Sequence, residues 1–296
     1  MAMAMAMGKG MATAMTGGRF IFTREENTRH GGIRFRLWLL GVLSVAMLLI
    51  AGLAPPVPQS VEYHQFADQR EFFGIPNLFN VVSNVGFLLV GMAGMLFVTC
   101  SGMTRKNIAF VDPRERWPYL VLFASVAMTS LGSAYYHLAP DNDRLMWDRV
   151  PMAAAIMALV AATLTERVSV RAGLRLLPLL VVLGVGSVLY WNWSEQQNAG
   201  NLNFYIVVQF YSILVIILVA KLFPSLYTRG ADIYAVLGWY ALAKAAEMAD
   251  QQIYDLGNLV SGHTAKHLLA TVGAYWILRM LLRRTPGSQR FESAMV

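Results

Sequence analysis

Ser133-Ala-Tyr-Tyr-His-Leu-Ala-Pro-Asp-Asn-Asp-Arg-Leu-Met-Trp-Asp148 closes one long apolar run and opens the next. A serine, a histidine and several carboxylates therefore fall at one boundary of an apolar layer, where polar groups are costly unless they have partners or a role. Toward the far end of the chain, Ser261-Gly262-His263-Thr264-Ala265-Lys266-His267 places two histidines four apart at the start of the last apolar run. The fold and the chemistry are both read outward from these two stretches.

The chain has 296 residues, of which 56% are hydrophobic and only 14% charged. A water-facing surface is normally covered by charged residues, so this balance excludes an ordinary soluble protein and predicts a polytopic membrane protein. A membrane helix needs about 20 mostly apolar residues. Such runs lie at roughly 37–54, 79–100, 117–138, 147–166, 174–192, 203–222, 231–249 and 264–282, which predicts an all-α bundle of eight spans joined by short loops. Residues 1–35, beginning Met-Ala-Met-Ala-Met-Ala-Met, read as a disordered tail, residues 36–285 as the transmembrane domain and residues 286–296 as a short cytoplasmic tail. The run at 37–54 is followed by Pro55-Pro56-Val57-Pro58 rather than a small-residue cleavage site, and so reads as an anchor rather than a secretory signal.

The net charge of +7 does not point to nucleic acid, because the basic residues fall between apolar runs rather than on one face. With the N-terminus cytoplasmic, the inner segments hold clusters such as Arg34 and Arg36, Arg105 and Lys106, Arg114 and Arg116, Arg167, Arg171 and Arg175, and Arg279, Arg283 and Arg284. The outer loops and helix ends keep only Arg70, Arg144, Arg149 and Lys266. This is positive-inside topology, with both termini cytoplasmic. It suggests a bacterial-type inner membrane, an organellar membrane showing the same asymmetry, and puts His137, Asp148, His263 and His267 at one depth on the outer, periplasmic side.

A single cysteine, Cys100, excludes an intramolecular disulfide and any thiolate metal site, so a metal here must be held by histidine and carboxylate. Two histidines four apart share one helical face, a spacing that suits two bonds to one zinc ion as well as simple capping or packing. His137 arriving at the same depth favours the metal. Three histidines with an open position form a catalytic rather than a structural zinc site. Ser133, one turn deeper than His137, is either a small packing residue or part of that site. Asp148 is either a cap for free backbone amides at a helix start or a catalytic carboxylate.

Ser133-x-x-x-His137, then Asp148, then His263-x-x-x-His267, each at a helix end, resembles the alkaline ceramidase family and the wider group of membrane hydrolases that includes the progestin and adipoQ receptors. Asn80-Val81-Val82-Ser83-Asn84 is similar to the segment that begins the first ceramidase helix. The resemblance covers about residues 60–285 and implies a seven-helix hydrolase core, with the span at 37–54 as an addition. It implies zinc on His137, His263 and His267, with Ser133 and Asp148 as catalytic residues. Asp148 would move protons as general acid/base, and Ser133 would donate to the oxyanion or hold the water. The implied substrate is ceramide or a related lipid amide, cleaved to a fatty acid and a sphingoid base.

The family's animal members also hold calcium before the first core helix, which makes Asp68, Glu71 and Asn77 a candidate oxygen set for that ion. Two other classes compete with the hydrolase. One is a lipid-binding receptor or transporter with a structural zinc. The other is a haem-bearing electron carrier, which the shared helical face of His263 and His267 disfavours.

Overall fold

The computed structural model describes residues 24–100 and 109–287, and every long element in them is helical. Most of the expected tail, Arg105, Lys106 and residues 288–296 lie outside the described residues. The chain divides into two compact units, 1–44 and 45–296. The described part of the first unit is helical from Arg24, so residues 24–35 continue the anchor helix rather than the expected tail.

Helix α1 runs Arg24–Leu53, and α2 (Leu78–Val82) and α3 (Val85–Cys100) form one span broken at Ser83 and Asn84. The next three are long: α4 (Arg116–Leu138), α5 (Asn142–Arg167) and α6 (Val170–Gln196). Helix α7 (Asn203–Ile206) passes through a wide turn at Val207–Tyr211 into α8 (Ser212–Leu222). Then come α9 (Asp232–Met248), α10 (Asp250–Asp255) and α11 (Gly262–Arg283). The described residues thus form an all-α polytopic membrane bundle, with six helical stretches long and apolar enough to cross a membrane by length and composition. The remaining two expected spans are α9, which is short, and α11, which carries the site histidines and Lys266.

In the second unit α3, α4, α5, α8, α9 and α11 follow one another around a ring, with α6 packed outside α5. Helix α5 is the most enclosed and supplies Ala153, Ala158, Ala161 and Ala162 to the interior, small residues that let neighbouring backbones approach. Val98, Phe123, Ile277 and Leu281 fill one part of the core, and Leu145, Val188 and Trp191 fill another. At one end of the bundle the buried Arg284 donates to Glu166 at 2.9 Å and to the Ala109 carbonyl at 2.7 Å. It also lies over the Tyr227 ring at 4.0 Å. The histidines gather at the opposite end.

Candidate metal centre

His137 sits in the last turn of α4, and His263 and His267 in the first turns of α11. The α11 start is pinned twice. Ser261 accepts from the Thr264 amide at 3.1 Å, and one Asp250 oxygen accepts from the His263 amide at 2.7 Å. The other Asp250 oxygen accepts from Ala67 at 2.9 Å, which ties the outer loop to the same point. Gly262 allows the close approach: a Cβ there would stand 2.2 Å from the Ala246 carbonyl oxygen.

All three imidazoles are buried, with ring centroids 4.9 to 5.0 Å apart. One nitrogen from each lies within 4.8 Å of the others. Both nitrogens of His137 are buried without a hydrogen-bond partner among the described residues. A neutral imidazole left this way forfeits a donor and an acceptor, at a cost of about 1–3 kcal/mol for each unsatisfied group. A shared metal ion relieves that cost. Ser83 donates to the Asn80 carbonyl at 3.1 Å, so its oxygen accepts Nδ1–H of His267 at 2.8 Å, and Nε2 of that ring keeps its lone pair. Nε2 of His263 accepts from the Lys266 ammonium at 2.8 Å, so its lone pair becomes a metal donor once that ammonium turns aside to Glu247, which already accepts from it at 3.1 Å. The donor set fits a metal ion. Three rings this close leave no space for a macrocycle between them, which removes the haem arrangement.

Phe66 walls the cluster, its ring 4.7 Å from His137 and 4.5 Å from His263. Tyr136 packs against His137 at 4.9 Å and exchanges a hydrogen bond with His64 at 2.9 Å. Its ring is buried, whereas Tyr135 and Trp147 face outward, at 47% and 55% exposure.

Asp148 is not the cap of its helix. Asp141 caps α5 by accepting from the Arg144 amide at 2.7 Å, and Asp148 lies inside the helix, buried, with its side chain on the same cavity as Ser133. Two residues bring this pair together. Pro151 lacks the amide that would bond the Trp147 carbonyl, and Gly132 on α4 faces that oxygen, where a Cβ would come within 2.1 Å. Ser133, Asp148 and His267 line one cavity of about 290 Å³, whose far walls include Val126, Ile156 and Ala274.

The three calcium candidates are not brought together as an oxygen set. Both Asp68 oxygens are taken by Arg70, at 2.8 Å from Nε and 2.7 Å from Nη2. Burial pushes the Asp68 carboxyl up, but the hydrogen bonds and charge of Arg70 outweigh it and hold the group below the ordinary carboxylate value. The amide of Asn77 donates to the His137 carbonyl at 2.9 Å, and Glu71 is exposed. Asn77 thus supports the end of α4 that carries a metal-site histidine.

Sequence reasoning missed Ser83, Phe66 and the bridging role of Asp250. Glu247 accepts from Lys244, one turn earlier on α9, and also from Lys266 at 3.1 Å and Tyr63 at 3.2 Å. No protein-family model matches this chain, and no curated protein matches it.

Proposed function

We propose that this chain is a zinc-dependent amidohydrolase of the membrane that cleaves the amide bond of ceramide or a related lipid amide. One observation carries the reading: three buried histidines, one with both nitrogens unpaired, stand beside a buried Asp148–Ser133 pair on a largely apolar cavity. His137, His263 and His267 would hold the ion. One nitrogen of each ring lies within 4.8 Å of the others, so the three could share one ion. Zinc, when bound, supplies Lewis acidity toward a carbonyl and a water.

The rest of the chemistry belongs to the chain. Asp148 takes the proton of the attacking water and returns it to the leaving nitrogen, which frees the amine. Ser133, on the same cavity, is placed to orient that carboxylate or to donate to the oxyanion. Phe66 and Tyr136 keep bulk water from the histidines, which strengthens every polar interaction among them. The apolar walls accept an acyl chain. With positive-inside topology the site faces the periplasm of a bacterial-type inner membrane, at the level where an amphipathic substrate presents its polar group.

Purified protein incubated with N-acyl lipid amides, with products followed by mass spectrometry, tests this reading. The wild type should release fatty acid. Asp148→Asn should retain its zinc and lose at least about 100-fold in turnover. Unchanged turnover in that variant, or intact lipid with a zinc-loaded wild type, contradicts the proposal and leaves the lipid-receptor reading.

A further inference from the structure

Arg149 follows Asp148 on α5 and, unlike Arg284, the other buried arginine among the described residues, forms no ion pair. Its side chain lines the cavity that holds Ser133, Asp148 and His267, yet it is only 5% exposed. Nη2 donates to the Gln59 side chain at 2.6 Å, whereas Nη1 is buried with no hydrogen-bond partner among the described residues. No carboxylate among the described residues forms an ion pair with it. The other acids nearby are engaged elsewhere, Glu247 by Lys244 and Lys266 and Glu195 by Trp191 and the Gln59 backbone amide, while Asp148, the neighbour in sequence, makes no ion pair with Arg149 among the described residues.

Three rings surround the guanidinium, with Trp191, Tyr205 and Tyr63 centroids at 4.4, 4.8 and 5.2 Å. Such cation–π contacts hold its plane in one orientation. They offset only part of the cost of taking the ion out of water. A fixed guanidinium with a free edge, facing an otherwise charge-matched cavity, is the geometry that receives a carboxylate through paired N–H donors.

We propose that Arg149 forms a carboxylate-binding subsite, and that the amides processed here carry an acid next to the scissile nitrogen, as N-acyl amino acids do. The position sets the class of substrate. Asp148 and Arg149 are consecutive, with Cα atoms about 3.8 Å apart, and both side chains reach the cavity. An anion held by Arg149 therefore lies close to the amide that Asp148 serves, which suits an α-carboxylate and not a charge at the end of a long head group. In the reaction, water adds across the carbon–nitrogen bond. The acyl carbon keeps the hydroxyl as a fatty acid, the nitrogen takes the proton, and a free amino acid leaves.

This inference rests on the amidohydrolase reading for turnover but not for binding, and the experiment separates the two. N-palmitoylglycine and N-palmitoylethanolamine share an acyl chain and differ in the carboxylate. Holoprotein should bind and cleave the glycine conjugate at least about tenfold better. Arg149→Gln should lower binding and kcat/KM for that conjugate at least about tenfold more than for the ethanolamide, mainly through KM, with Arg149→Lys intermediate. Calorimetric binding is measured on the same samples, together with free palmitate.

If neither amide is cleaved but Arg149 still governs preference in binding, the hydrolase reading falls and the subsite stands. Equal handling of the two amides by the wild type, or an equal loss on both in Arg149→Gln, overturns the subsite. So does a loss of palmitate binding as large as that of the glycine conjugate, because Arg149 would then hold the fatty acid's own carboxylate.

Discussion

Ser83 shows how one hydroxyl sets the chemistry of a ring across the bundle. Its hydrogen goes to Asn80, so it can only accept from His267, and that choice aims Nε2 toward the other histidines. Removal of such a supporting bond costs about 10–100-fold in metal affinity. Ser83→Ala should therefore weaken zinc binding by that factor in a competitive chelator titration, and unchanged affinity would contradict the tautomer assignment. The three histidines were legible in the sequence because they are few and fall at one expected depth. Ser83 was not, since its partner lies 184 residues away and a serine in an apolar helix has many ordinary uses. The cavity cation Arg149 was hidden for a similar reason. Topology placed it on the outer side, but only packing shows which cations find acids.

At the scale of elements, the contact between α4 and α5 decides whether Ser133 meets Asp148. Gly132 and the unbonded Trp147 carbonyl allow that contact. Gly132→Val forces the helices apart and should destabilise the fold by about 1–3 kcal/mol, with a loss of turnover. Gly186→Ala on α6, where a Cβ would meet nothing within 4 Å, serves as the comparison and should leave thermal unfolding in detergent nearly unchanged. Equal effects of the two would show that the approach at Gly132 does not matter.

Helix identity was legible from apolar runs, but several helix ends were not. Hydropathy marks the hydrocarbon-crossing part. The helix itself continues into polar residues such as Asn142, Asp143 and Arg144 until a cap stops it. This is why Asp148, expected near a helix start, lies inside α5 with its carboxylate free for Ser133. The break at Ser83 and Asn84 was equally invisible to a count of apolar residues. It puts polar side chains within reach of α11.

For the whole molecule, the ring of helices puts the buried Arg284 cluster at one end and the histidines at the other. Positive-inside reasoning assigns the first to the cytoplasm. Cys100 ends α3 at the Arg284 end, and its exposed thiol should resist a membrane-impermeant maleimide applied to cells with a permeabilised outer membrane. In a Cys100→Ser background, Gln197→Cys in the exposed turn after α6 should label readily. The reverse pattern would invert the topology and move the proposed site to the cytoplasmic face. Six of the expected spans were readable because they need only length and apolarity, whereas α9 and α11 pack against each other and carry the charges of the site.

The account turns on three imidazoles sharing one ion, and metal quantification on purified protein tests that most directly. Zinc-replete wild type should carry about one zinc per chain, and the combined His263→Ala and His267→Ala variant should carry almost none while remaining folded. A metal-free wild type after zinc loading, or full zinc retention in the double variant, would contradict it.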